Sequence, residues 1–142
     1  MGRFGILVFG VAVFLAVGVG NAVAAKPPAK VAWSPVFPTT GTYYGFVTVG
    51  SSFSATYAVT NSGGKATGAL HVSLTGSSDF SITSDGCTGT NLEEKKTCSV
   101  EVTYAPTDVG PDSTELTVTA KKLAASPDNS IVLYGDGELP PG

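Results

Sequence analysis

With 142 residues, 42% of them hydrophobic and only 13% charged, the chain has room for one domain and a short leader. The charged share is about half that of an average soluble protein; glycine, serine and threonine fill the difference, which favours turns and strands over long solvated helices. A formal charge of −3 argues against nucleic acid as a partner, because binding phosphates demands a basic surface.

Residues 1–25 have the three parts of a secretory signal peptide. Arg3 and the amino terminus make a positive start, residues 4–20 carry no charge, and Ala22-Val23-Ala24 supplies the small-x-small cleavage pattern. The uncharged stretch sits at the short end of the roughly 17–25 residues that span a bilayer. The alanine-rich site directly behind it favours removal after Ala24 or Ala25 over an uncleaved anchor. Export is therefore expected, with no stable membrane insertion afterwards. Losing Arg3 takes the formal charge from −3 to −4.

Residues 26–30 (KPPAK) read as a polar, mobile spacer, and residues 31–37 as a first strand broken by Pro35. A turn at residues 39–41 leads into the β-prone stretch 42–50. Phe53, Ala55, Tyr57 and Val59 then alternate with polar or small residues, the signature of a strand with one buried face. Asn61-Ser62-Gly63-Gly64 reads as a turn. Leu70, Val72 and Leu74 repeat the alternation with His71, Ser73 and Thr75 outward, and residues 80–83 make a short strand. Cys98, Val100, Val102 and Tyr104 share one face of the next strand. Residues 106–112 read as a corner, Leu116, Val118 and Ala120 as another inward face, and residues 121–129 as a long polar connection. Residues 131–134 form the last strand, ended by Gly135-Asp136-Gly137. No stretch after the leader sustains a 3.6-residue apolar repeat. The expected fold is all-β: a single immunoglobulin-like β-sandwich of about seven or eight strands over residues 31–138, with a tail at 139–142.

Two cysteines in an exported chain read first as a disulfide, Cys87 to Cys98. A redox pair is the alternative, but redox thiols favour C-x-x-C spacing.

The order Asn61-Ser62-Gly63, Asp79-Phe80-Ser81-Ile82, Cys87, Leu92, Cys98-Ser99-Val100, Val102, Tyr104, Pro106, Gly110, Leu116 and Leu133-Gly135-Gly137 resembles the immunoglobulin-like repeats of bacterial choice-of-anchor D proteins. The ASH/Hydin domains of ciliary and centrosomal proteins belong to the same fold family. The chain departs from the pattern at residues 94–97, where the family commonly has Pro-Gly, at Tyr104, where it has Phe, and in the long loop 121–129. The resemblance implies an adhesive, structural or scaffolding module without an active site. Together with the leader it points to the periplasm, the cell surface or the medium of a bacterium.

Candidate chemistry is sparse. His71 is the one histidine, on a polar face, and no serine sits in a G-x-S-x-G elbow. Asp108, Asp112, Asp136 and Glu138 crowd two turns but match no calcium loop. No enzyme, metal or cofactor is expected. Trp33, Tyr43, Tyr44 and Phe46 form an aromatic cluster suited to core packing, to a protein contact or to a sugar platform. The reading is a non-catalytic, exported structural or protein-interaction module that binds a protein or itself. The alternative is a carbohydrate-binding module of the cell envelope.

Overall fold

Alternation of large apolar with small or polar residues is satisfied by two sheets packed face to face, and that is the arrangement adopted. A computed structural model describes residues 20, 23–37 and 42–142. The apolar stretch of the expected leader, Pro38, the turn expected at residues 39–41 and the side chain of Phe37 lie outside the described residues. The described strands are β1 (Val31–Phe37), β2 (Tyr43–Thr48), β3 (Phe53–Asn61), β4 (His71–Gly76), β5 (Phe80–Asp85), β6 (Thr97–Tyr104), β7 (Gly110–Thr119) and β8 (Ser130–Glu138). One sheet has the order β1-β3-β6-β5, the other β2-β8-β7-β4. The first two strands thus lie in different sheets; β1 pairs antiparallel with β3, and β2 pairs parallel with β8.

The inward sets merge into one core. Val59, Val100, Val102 and Tyr57 face Leu116, Val118, Leu133 and Leu70 across the sandwich, all essentially sealed from solvent. At one end the core is aromatic. Tyr44 meets Phe53, Phe80 and Tyr104 edge-on at centroid distances of 6.0, 5.4 and 6.0 Å, and Phe80 stacks on Tyr104 at 4.5 Å. Edge-on contacts suit rings with electron-rich faces. The phenols keep polar partners: the Tyr44 hydroxyl donates to the Val102 carbonyl at 2.8 Å and that of Tyr104 to Asp112 Oδ2 at 2.8 Å. Burial, and then the Tyr57 hydroxyl beside Tyr44 and the Asp112 carboxylate beside Tyr104, push both phenols far above the usual tyrosine range.

Three expectations change. The Gly135-Asp136-Gly137 run does not end the last strand; β8 continues to Glu138, with Gly137 opposite Gly110 and Gly135 opposite Asp112. A β-carbon on Gly135 would fall inside the Tyr104 ring, and one on Gly137 would strike the Asp108 carbonyl, so these glycines permit close approach within a strand. Correspondingly, β7 begins at Gly110, inside the expected corner. The KPPAK segment is also no free spacer. The amides of Ser62 and Gly64 donate to the carbonyls of Lys30 and Pro27 at 2.8 and 3.2 Å, and Ala29 is buried. Residues 27–30 lie so close to Gly63 and Gly64 that neither position has room for a side chain. The loop after β7 is likewise tied down. A 3-10 turn (Pro127–Asn129) is capped by Ser126, the Asn129 side-chain amide donates to the Ala124 carbonyl at 2.9 Å, and the Asn129 backbone carbonyl accepts from Trp33 Nε1 at 3.0 Å.

Cys87 and Cys98 are joined by a disulfide with Cα atoms 5.2 Å apart. Its loop leaves the first sheet and binds the second: Leu70 N donates to Thr90 O at 3.0 Å and Gly89 N to Leu70 O at 2.8 Å, just ahead of β4. Asp85 starts that loop, accepting from Cys87 N at 2.9 Å, Thr88 N at 2.8 Å and Thr88 Oγ1 at 2.6 Å. Partial burial works to raise the Asp85 pKa, but the bonds from Thr88 and Cys87, aided by nearby His71, outweigh it and hold the carboxyl below its ordinary value. A carboxyl depressed in the folded state stabilises above its unfolded pKa and loses that contribution as pH falls through the folded one. Melting temperature measured from pH 7 downward should therefore include an Asp85 component that starts to fade near about pH 4, the unfolded carboxylate range, and is gone once pH has fallen through the lower folded value. In Asp85→Asn that component should be absent, so the variant melts lower than the parent at pH 7 and converges on it in acid. A difference that stays constant across the whole range would refute the assignment.

Candidate interaction face

Sequence reasoning placed Trp33, Tyr43, Tyr44 and Phe46 together; the structure divides them. Tyr44 belongs to the core. Trp33 lies in the other sheet, half-buried and anchored to Asn129. Tyr43 and Phe46 alone reach solvent on β2, at 48% and 70% exposure.

A local irregularity puts these two on one face. Tyr43 is opposite Tyr134 and Phe46 opposite Asp136, so β2 spends three residues where β8 spends two. Gly45, at φ +79°, is the bulge residue; a left-handed backbone there costs glycine little and other residues more. The bulge turns Tyr43 and Phe46 outward and Tyr44 and Val47 inward, which strict alternation would not do.

On the neighbouring strand, Val132 and Tyr134 are exposed while Leu133 is buried. The outer face of the second sheet thus carries Tyr43, Phe46, Val132 and Tyr134 side by side. Sequence reading missed the last two; the alternation of Ile131-Val132-Leu133-Tyr134 was the available signal, since either register leaves one pair of large residues outside. Tyr43 is fixed by a 2.8 Å hydrogen bond to Asp136 Oδ2, and this acceptor raises its pKa. At the strand's other side, β2 has no neighbour among the described residues and ends its sheet. The site is therefore a small aromatic platform bordering an open strand edge.

The other candidates are dispersed. His71 is exposed on β4, opposite Thr119 and far along the sheet from the platform. Asp112 accepts from Tyr104 and from Ser77 Oγ at 3.0 Å, and Asp136 from Tyr43. These are structural bonds. Among the described residues, no group of three or more His, Cys, Asp or Glu side chains is placed to hold a metal ion, and no helix is long and apolar enough to cross a membrane.

Residues 39–138 match the family model described as Cep192 domain 4. The chain belongs to the Cep192 domain 4 family. As a Cep192 domain 4 protein it shares the immunoglobulin-like fold with solved structures at low identity. The ASH/PapD-like domain 7 of human CEP192 superposes with a TM-score of 0.50 and 12% identity, over 86% of this chain and 93% of that one. The CARDB domain of the PF1109 protein from Pyrococcus furiosus, solved in complex with di-metal ions, gives 0.53 and 15%, over 81% and 96%. A family 123 glycoside hydrolase from Clostridium perfringens gives 0.54 and 11%, but the match spans only 27% of that chain. At these identities the likeness is one of fold. The relation to ASH-type immunoglobulin-like domains expected from the cysteine region and its flanks is shown. The sequence matches no curated protein.

Proposed function

We propose that this protein is an exported, non-catalytic interaction module that takes an extended segment of another protein along the open edge of β2. The observation that carries the reading is the Gly45 bulge, which gathers Tyr43 and Phe46 beside Tyr134 and Val132 at that edge. An added strand would satisfy the edge's free backbone groups, while its side chains cover the aromatic platform. Exposed aromatics clustered on a rigid strand pair are the anchors that protein contacts favour. Support for export comes from the signal-peptide pattern of residues 1–25 and from the Cys87–Cys98 disulfide, a bond that persists in oxidising compartments. Periplasm, cell surface or medium all fit.

A photo-crosslinking side chain at position 46 tests the reading in the native envelope. One discrete protein adduct is expected from position 46 and none from position 71, at the far end of the same sheet. Phe46→Asp and Tyr134→Ala should each weaken capture of that partner by at least about tenfold, as loss of an aromatic anchor does. Equal labelling from both positions would count against the site. Saccharide-dependent protection of Tyr134, with no protein adduct, would turn the reading toward the carbohydrate-binding alternative.

A further inference from the structure

Charge is sorted along the long axis of the sandwich. The eight basic residues are Arg3 and seven lysines, and the seven all belong to one end. Lys30 precedes β1, whose first residue pairs with Asn61 at the end of β3. Lys65 accepts from the Asn61 side chain, and the Lys95 amide and Lys96 carbonyl bond the Asn61 backbone. Lys122, next to Lys121, bonds Thr67, and Lys26 reaches Glu94 at 3.2 Å. Glu93, Glu94 and Asp128 are the acids of this end, and two of them are already paired, Asp128 with Lys30 at 3.4 Å.

The far end carries no lysine. Val49 N bonds Glu138 O and Gly50 N bonds Pro106 O, which brings the finish of β8 beside the finish of β6. Asp79, Asp108, Asp112, Asp136 and Glu138 gather there, and three of them raise the Tyr104 pKa together. Two exposed apolar side chains, Val109 and Leu139, stand among these acids, Leu139 at 71% exposure.

The basic end carries the complementary lining. An open cleft of about 620 Å³ is floored by Pro28, Ala29 and Ala66 and rimmed by Lys26, Lys65 and Lys122. An apolar floor with a cationic rim complements apolar side chains set among carboxylates. From this charge and surface complementarity we infer that the chain associates head to tail, the acidic end of one copy seated in the lysine-rimmed cleft of the next. The two surfaces differ, so the contact is heterologous and does not close on itself as a two-fold pair would; it propagates into short open chains. The inference extends the interaction-module reading but uses neither Tyr43 nor Phe46, so the two stand or fall separately.

Sedimentation velocity on the full chain, as processed by its host, tests this. At about 50 mM salt the protein should grow beyond a dimer with concentration, and at about 500 mM the apparent affinity should fall at least about tenfold, because exposed charges are screened. Lys65→Glu/Lys122→Glu and Asp108→Lys/Glu138→Lys, all at solvent-exposed or cleft-rim positions, should each be folded and monomeric. Mixed together, the two variants should regain assembly, since the acidic end of the first fits the untouched cleft of the second and the two reversed surfaces are again opposite in charge. Tyr134→Ala, which changes no charge, should assemble like the parent. A parent that stays monomeric at low salt and millimolar concentration would overturn the inference. So would assembly that survives both charge reversals, or reversed variants that fail to pair on mixing.

Discussion

Asn61→Ala is expected to destabilise the fold by about 3–5 kcal/mol, the range reached when a buried hydrogen-bond network is broken. Asn61 is fully buried at the end of β3. Its Nδ2 donates to the carbonyls of Lys65 and Leu92 at 2.8 and 2.9 Å, and its Oδ1 accepts from the amides of Gly63 and Lys30 at 2.9 and 3.3 Å. One side chain thereby holds the segment before β1, the turn after β3 and the disulfide loop. Alanine would leave the Lys65 carbonyl and the Lys30 amide without their partner, each costing about 1–3 kcal/mol if water cannot reach it, and would strip one of two bonds from Leu92 O and from Gly63 N, which keep Thr67 N and Lys30 O. Asn61→Asp keeps the acceptor but loses both donor bonds and buries a charge, so it should be no better tolerated. Urea unfolding of the parent and both variants checks this. A loss below about 1 kcal/mol for alanine would mean that solvent already replaces these bonds.

Removing the disulfide as Cys87→Ala/Cys98→Ala is expected to cost about 2.8 kcal/mol, the loop-entropy value for a 12-residue ring. The cysteines are 11 positions apart in sequence, so the loop is long enough for its closure to constrain the unfolded chain. Most of the effect should come from that unfolded state, because the loop keeps native partners without the bond: Thr67 N donates to Leu92 O at 3.1 Å, Leu92 N to Thr67 Oγ1 at 3.0 Å, and Leu92 is buried. Two readouts follow. Denaturant unfolding should show a lower midpoint with a steeper slope, since the open chain exposes more surface. The parent under reducing conditions should match the double variant. A double variant as stable as the oxidised parent would refute the role. Against a typical total of roughly 5–15 kcal/mol, either change removes a large share of the stability.

The strands were legible because their chemistry is local. Residues 53–59, 70–74 and 98–104 alternate cleanly, and the structure buries Ala55, Tyr57, Val59, Leu70, Val72, Val100, Val102 and Tyr104. Asn61 read as a turn residue, which it partly is, since Gly63 N returns to its side chain. Its larger role needs Lys30 and Leu92, both 31 positions away, and no local pattern reports such partners. Gly135 and Gly137 read as a strand terminator for the same reason. Glycine looks like a breaker until Tyr104 and Asp108 are seen to occupy the space a side chain would take. The aromatic cluster was misjudged as a unit because Gly45 breaks the two-residue period, sending Tyr44 inward and Phe46 outward.

By itself the sequence determined the class of fold, the approximate number of strands, the faces that alternate and the pairing of Cys87 with Cys98, because each follows from neighbours in the chain or from the only partner present. Tertiary structure decided the rest. Sheet membership of β1 and β2, the platform of Tyr43, Phe46, Val132 and Tyr134, the lysine cleft and the acidic end all bring together residues distant in sequence. The physical reason is that a strand's period specifies which side chains share a face but not which strand lies beside it, and binding surfaces in a sandwich are built across strands.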